Sequence, residues 1–327
     1  METLLEVRDL KTHFFTDGGV AKAVDGISFS VGKGETVGIV GESGSGKSVT
    51  ALSILGLHTG KVMGGEVVFE GKDLLKLSKT ELQKIRGGDI SMIFQDPMTS
   101  LDPVFTVGFQ LREAIKKHQN VKSNAEANRI AVEALCKVGI PQPEARIKNY
   151  PHQLSGGMRQ RVIIAMALCC HSKLIIADEI TTALDMTIQA QILELLREIK
   201  ANSGTSILLI THDLGVVAEM CDRVIVMYCG RVIERGTAEQ IFHNPQHQYT
   251  KGLLSSIPRI EKEVDRLSVI PGVVPSITNL PDGCRFHPRC DMACERCLEQ
   301  IPELREVEPG HFTACCCAQG YDKEEQK

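Results

Sequence analysis

Gly41-Glu42-Ser43-Gly44-Ser45-Gly46-Lys47-Ser48 follows directly on the β-branched run Thr36-Val37-Gly38-Ile39-Val40. The octapeptide has the form of a phosphate loop: spaced glycines, then Gly-Lys-Ser. Glycines let the backbone wrap phosphate oxygens, Lys47 supplies charge, and the Ser48 hydroxyl is suited to ligate Mg²⁺. An apolar run with no alternation suits a strand buried on both faces of a parallel sheet. A helix is expected from about Lys47 to Leu57. Strand, phosphate loop and helix together predict an α/β core.

Outward from this loop the pattern continues. Leu4 to Val7 and Ala23 to Val31 read as strands joined by a turn at Asp17-Gly18-Gly19. Glu66 to Phe69 and Ile90 to Phe94 read as further strands. Residues 96–162 turn helical, with a capping box at Ser123-Asn124-Ala125-Glu126. Strands return at Leu174–Ala177, Ser206–Ile210 and Val224–Met227. The apolar set Ile188, Ile192, Leu195, Leu196 and Ile199 marks an amphipathic helix between two of them. A helix is expected from His243 to Ile257, then proline-rich chain and a cysteine-rich tail. The last residues, Tyr321 to Lys327, are polar and expected to fray.

A second glycine-bearing loop, Leu154-Ser155-Gly156-Gly157-Met158-Arg159-Gln160-Arg161, precedes an Asp178-Glu179 pair. Ser155, Gly156 and Gly157 offer a hydroxyl and approachable N–H groups at a helix start, which attracts phosphate. The chain already holds one phosphate loop, so this one is expected to serve a nucleotide bound elsewhere. Leu174-Ile175-Ile176-Ala177-Asp178-Glu179 is an apolar strand ending in two carboxylates. After a phosphate loop, such acids suit Mg²⁺ binding at Asp178 and activation of water at Glu179. Gln95 closes the strand Ile90–Phe94, where its amide is within reach of Mg²⁺ or the attacking water. His212 closes the strand Ser206–Ile210, where an imidazole can sense a γ-phosphate.

Composition bounds the partners. The 327 residues are 43% hydrophobic and 24% charged, ordinary for a globular protein. A net charge of −4, no Trp and only 4% aromatics give no reason to expect nucleic acid. The longest strongly apolar run, Val162 to Cys170, is far short of the ~20 residues that cross a bilayer. Met1-Glu2-Thr3-Leu4 does not begin a secretory signal. The expected location is the cytosol, with peripheral attachment to a membrane by a partner. Of twelve cysteines, seven fall after residue 283. In a reducing compartment such a cluster points to metal more than to disulfides.

Taken in order, the loops at 41–48, Gln95, 154–161, 174–179, Ala183-Leu184-Asp185 and His212 resemble the ATP-binding subunit of an ABC transporter. Phe94-Gln95-Asp96-Pro97-Met98-Thr99-Ser100-Leu101-Asp102-Pro103, the wording of both glycine loops and His247-Gln248-Tyr249-Thr250-Lys251-Gly252-Leu253-Leu254 with Ile257-Pro258 are similar to the oligopeptide/dipeptide/nickel importer branch. Met158 resembles its D-type subunit. The resemblance implies a P-loop NTPase (RecA-like) core with an antiparallel β subdomain and a helical ABC-specific insertion, in a nucleotide-binding domain at 1–236. A small cysteine-rich extension at 237–327 follows.

The resemblance also implies roles. Gly41, Glu42, Ser43, Gly44, Ser45, Gly46, Lys47, Ser48 and Val49 contact the ATP of this chain, with an adenine-stacking aromatic at Phe14 or Phe15. Side chains alternate on a strand, so only one can stack, and Phe14 is the choice here. Mg²⁺ falls to Ser48, Gln95 and Asp178, and hydrolysis to Glu179, Gln95 and His212. Leu154, Ser155, Gly156, Gly157, Met158, Arg159 and Gln160 serve the partner's ATP, beside Asp185. Partners implied are an F-type ATP-binding subunit in a heterodimer, two transmembrane permease subunits and, indirectly, an extracytoplasmic solute-binding protein. They place the chain on the cytoplasmic face of the cell membrane. One departure is Ile180, where the family usually has Pro.

In the tail, Cys284-x5-Cys290-x6-Cys297-x17-Cys315 resembles the spacing that holds a 4Fe-4S cluster in some peptide-importer subunits. Cys294-x2-Cys297 instead suits Zn²⁺, with His287 and His311 as further donors, and free or bridged thiols are a third reading. A nickel or other small-solute importer, and a soluble ABC ATPase of DNA repair or translation, are the rival functions. The absence of a long coiled-coil insertion and of a second phosphate loop speaks against the latter pair.

Overall fold

The structure is a computed structural model that describes residues 2–96, 100–180, 185–256 and 269–318. Pro97 to Thr99, Ala183, Leu184, Ile257-Pro258 and the polar tail Tyr321 to Lys327 lie outside these. In chain order the elements are β1 (Thr3–Thr16), β2 (Gly19–Gly32), β3 (Thr36–Val40), α1 (Lys47–Ile54), β4 (Lys61–Phe69), β5 (Lys72–Asp73), α2 (Lys79–Ile85), β6 (Ile90–Ile93), α3 (Val107–His118), α4 (Asn124–Lys137), α5 (Pro143–Arg146), α6 (Gly156–Cys169), β7 (Leu174–Asp178), α7 (Met186–Ser203), β8 (Ser206–Ile210), α8 (Leu214–Met220), β9 (Arg223–Tyr228) and β10 (Arg231–Thr237). The extension adds α9 (Ala238–His243), α10 (Gln248–Ser255), α11 (Glu295–Glu299), β11 (Arg305–Glu308) and β12 (His311–Thr313).

The chain divides into two compact units. One comprises residues 4–30, 36–75 and 210–327, so the phosphate loop and the whole extension share a unit. Here an antiparallel sheet runs β2-β1-β4-β5. Alternate β1 residues Leu5, Val7, Leu10 and Thr12 are buried, with a register shift after Arg8 that resets the face. β3 pairs in parallel with β9, Ile39 opposite Ile225. β10 returns antiparallel on β9, β12 pairs with β10, and β11 with β12. Every residue of β3 is buried, as an apolar central strand requires.

The other unit comprises residues 1–3, 31–35 and 76–209. β6 pairs in parallel with β7, Ile90 opposite Leu174, and β8 lies on the far side of β7. α3, α4 and α6 pack on one another, burying Leu111 and Ile115 of α3, Ala127, Ala131 and Leu135 of α4, and Ile164 and Ala165 of α6. Small alanines on α4 permit close approach of its neighbours. The expected cap of α4 is made on the serine side, Ser123 Oγ accepting the Glu126 N–H at 3.5 Å.

Three sequence expectations shift. α1 ends at Ile54, short of Leu57. Gly56 takes φ +61°, its N–H bonds Ser53 and that of Leu57 bonds Leu52, a glycine-terminated helix end. The helix expected from His243 to Ile257 starts only at Gln248, as α10; His243 instead ends the separate helix α9, and Asn244-Pro245 divides the two, because proline cannot sit inside a helix. Strands β1 and β2 are longer than the apolar cores that announced them.

Candidate active site

The phosphate loop is held by backbone contacts that admit only glycine at two positions. Gly41 has φ +153° and a Cβ there would lie 2.2 Å from the Met227 carbonyl. Gly46, just before α1, has φ +100° and a Cβ 2.2 Å from the Ala23 carbonyl. Lys47 is buried, and its ammonium donates to the carbonyls of Gly41 (2.7 Å) and Glu42 (3.0 Å). Ser45 and Gly46 are buried, Ser48 and Val49 half-buried, and Ser43 and Gly44 exposed. Around Gly44, at φ +78°, a Cβ would meet nothing within 4 Å. The loop thus presents open backbone at Ser43-Gly44 over the start of α1, where N–H groups attract anions.

On β1, Phe14 shares a face with Thr12, whose hydroxyl lies 2.8 Å from that of Ser53 on α1. Its ring closes on Gly60, where a Cβ would come within 3.1 Å of it. Phe15 points to the other face and is 60% exposed. His212 leaves β8 exposed between the buried Thr211, whose N–H bonds the Ile39 carbonyl of β3, and Asp213, which caps α8.

In the second unit, β7 ends on Asp178, which is buried, and the next residue, Glu179, adopts φ +47°. A left-handed backbone is uncommon for a residue with a side chain and costs free energy. Gln95 Nε2 donates to Glu179 Oε2 at 2.7 Å. Behind it, Ile180 is buried and its carbonyl accepts Gln160 Nε2 at 3.1 Å. The tie runs from the helix of the second glycine loop to the turn that carries Glu179, at the position where the family usually has Pro.

Ser155 opens α6 as its N-cap, accepting the Met158 N–H at 3.3 Å. Ser155 and Gly156 are exposed, and a Cβ on Gly156 would meet nothing within 4 Å. Gly157, Met158 and Arg159 are half-buried, with Arg159 Nε on the Pro151 carbonyl at 2.7 Å. Leu154 and Gln160 are buried anchors. Asp185 caps α7 through the Ile188 N–H at 3.0 Å.

The extension is fastened by groups that sequence reading missed. Glu234 is fully buried and accepts from the N–H groups of Gln246 (2.6 Å) and His247 (2.9 Å), with His311 Nε2 at 2.8 Å. Asp25 pairs with Arg285 and with Arg231 at 3.2 Å. Burial alone would push its pKa up, but the two guanidiniums outweigh that and hold the carboxyl below the ordinary range. A buried acid spaced far from its partners leaves no periodic trace in sequence. In the tail, Cys294 and Cys297 sulfurs approach to 3.5 Å. Among the described residues, no group of three or more His, Cys, Asp or Glu stands arranged to hold a metal ion.

Residues 24–182 match the ABC transporter family, and residues 233–297 match the oligopeptide/dipeptide transporter C-terminal region. The chain is 55% identical to the oligopeptide transport ATP-binding protein AppD of Bacillus subtilis (strain 168), over 96% of this chain and 97% of that one. The chain belongs to the ATP-binding subunits of ABC transporters, in the oligopeptide/dipeptide branch. It is also 51% identical to the dipeptide transport ATP-binding protein DppD of Escherichia coli (strain K12), over 95% of this chain and 96% of that one. Among solved structures, a dimeric post-hydrolysis state of the ATP-binding cassette MJ0796 bound to ADP and Pi matches with a TM-score of 0.67 and 29% identity. That match covers 72% of this chain and 99% of that one. An ATP-hydrolysing cassette of the P-loop ABC fold follows. No helix among the described residues is long and apolar enough to cross a membrane.

Proposed function

We propose that this chain powers the import of di- or oligopeptides, as the 1–236 cassette of a transporter with a 237–327 extension. The observation that carries the peptide reading is the likeness to peptide-transport subunits along nearly the whole chain, extension included. The working unit is a heterodimer with an F-type subunit, docked on two permease subunits at the cytoplasmic face of the membrane and fed by a solute-binding protein. The groove near Gln95 and the helical insertion receive the permease. Each phosphate loop works with the Ser155–Gly157 loop of the other subunit, and the exposed hydroxyl and open backbone at Ser155-Gly156 support that reading.

Within this chain, Lys47 and the Ser43–Ser48 backbone grip β- and γ-phosphates. Bound Mg²⁺ neutralises phosphate charge; Ser48, Gln95 and Asp178 are the oxygen donors that suit it. Glu179 accepts the proton of the attacking water, Gln95 orients that carboxylate, and His212 contacts the γ-phosphate. Phe14 stacks on the adenine, and Asp185 lies beside the nucleotide of the partner. Reconstitution with the neighbouring subunits in vesicles tests the reading. ATP-dependent uptake of a labelled dipeptide or pentapeptide is expected; uptake of nickel without peptide would replace it.

For the extension, we infer from the cysteine spacing a 4Fe-4S cluster on Cys284, Cys290, Cys297 and Cys315, with Zn²⁺ as the alternative, although the described residues show no three donors already arranged around a metal. Burial pushes the Cys284 thiol up to about 11, and its neighbours Cys315, Cys290 and Cys316 push the same way. Such thiols become thiolates when a cationic centre supplies the compensating charge. Cys294 and Cys316 both interact with Cys297, which broadens the donor set. Anaerobic purification should give a brown protein with about four irons per chain; a colourless zinc protein would overturn the assignment.

A further inference from the structure

Glu42 is the second residue of the phosphate loop, and the extension holds it from two sides. Its N–H donates to the Tyr249 hydroxyl of α10 at 2.8 Å. Its carboxylate takes a two-pronged contact from Arg289, Nη1 to Oε2 at 2.8 Å and Nη2 to Oε1 at 3.3 Å. The guanidinium is almost fully buried, with 5% of the side chain exposed. Its remaining donors go to the Tyr228 hydroxyl (3.3 Å) and to the carbonyls of Pro271 (2.9 Å) and Ile270 (3.3 Å). All five N–H donors of an arginine are therefore engaged. Tyr228, Tyr249 and Phe286 pack on one another, Phe286 edge-on to both tyrosines and the tyrosines tilted, with centroids 4.6 to 5.5 Å apart.

A planar fork saturated in this way fixes its partner in position, not merely in charge. Glu42 lies between Gly41 and the open Ser43-Gly44 backbone, and its carbonyl holds the Lys47 ammonium. Moving Glu42 therefore moves the groups expected to grip phosphate. We propose that Arg289 is a positioning residue of the ATP site: the extension completes the phosphate loop by locking Glu42. The proposal rests on the ATPase reading above and assigns the extension a direct part in nucleotide affinity.

The test measures Mg-ATP binding to the full chain and steady-state ATPase activity of the full chain paired with its F-type subunit, with melting temperature recorded for each variant. Arg289→Ala is expected to raise Kd and KM for ATP about tenfold, the scale of a lost charge-assisted hydrogen bond, with kcat changed less than twofold. Arg289→Lys recovers little, because an ammonium cannot make the fork. Glu42→Gln weakens ATP binding in the same direction, and Glu42→Gln/Arg289→Ala is no worse than Arg289→Ala alone. A folded Arg289→Ala with wild-type Kd and KM, or strictly additive effects in the pair, would overturn the proposal. Should Arg289→Ala fail to fold, Glu42→Gln decides: unchanged affinity sinks the idea. A wild-type heterodimer that binds ATP but never hydrolyses it would instead break the ATPase reading and leave the Kd comparison standing.

Discussion

The phosphate loop and the turn bearing Glu179 are built on opposite principles. Around the loop, glycines meet carbonyls at distances that exclude any side chain, and Lys47, Glu42 and Tyr249 are tied to one another. Around Glu179 the backbone is left-handed without glycine, and side-chain hydrogen bonds reach it, from Gln95 to its carboxylate and from Gln160 to the next carbonyl. Gripping phosphate requires a preformed cradle. Activating water requires a carboxylate whose position can be switched, and an amide hydrogen bond on a strained turn is a device that a small contact change can reset.

The sharpest way to break this contrast is Glu179→Gln. If the cradle is independent of the turn, Mg-ATP affinity should stay within about twofold while phosphate release falls by roughly 100- to 10,000-fold, the range for losing a general base. Parallel loss of binding and turnover, read by equilibrium binding and phosphate release, would show that the two regions are not separable.

Gln160→Leu probes the turn from behind. It keeps the side-chain size but leaves the buried Ile180 carbonyl without its 3.1 Å donor, a loss of up to about 3 kcal/mol. Expected is a lower melting temperature and slower turnover with ATP affinity retained. A variant with wild-type turnover would mean that Ile180 holds the turn by packing alone.

Much of the site was legible because its chemistry is written in contiguous residues. Strand-loop-helix patterns announced β3 and α1, and Asp178-Glu179 stood where an apolar run ended. What sequence could not show was convergence. Glu234 gathers Gln246, His247 and His311, and Asp25 gathers Arg231 and Arg285, across gaps of up to 260 residues. Nothing in the spacing of such residues has a period, so neither docking of the extension nor the reach of Arg289 to Glu42 was visible. The end of α1 differs from the sequence expectation for a local reason: apolar residues at Leu55 and Leu57 carry the helical pattern past the glycine between them.

Docking of the extension should respond to pH more than the cradle does. Burial holds His247 down to about 3 from its ordinary 6.5, with Lys251 adding repulsion, so the folded chain keeps the ring neutral. Between those values the unfolded chain binds a proton that the folded chain does not, and stability is full above pH 6.5 and falls as pH drops through that window. One group contributes about 2 kcal/mol of loss between pH 6.5 and 5. His247→Asn keeps a cap acceptor for the Tyr249 N–H and should flatten this part of a melting-temperature profile. An unchanged slope would assign the pH response elsewhere.

The smallest expected effect separates two roles for one carboxylate. Asp185 accepts the Ile188 N–H at 3.0 Å and starts α7. It is also the residue that the family resemblance places beside the partner's nucleotide. Asparagine caps a helix about as well as aspartate, so Asp185→Asn should move the melting temperature by an amount equivalent to within about 0.5 kcal/mol. If capping is its whole contribution, ATPase activity of the heterodimer is unchanged too. If the charge acts across the dimer, activity falls while stability holds, and the fall appears only when the F-type subunit is present.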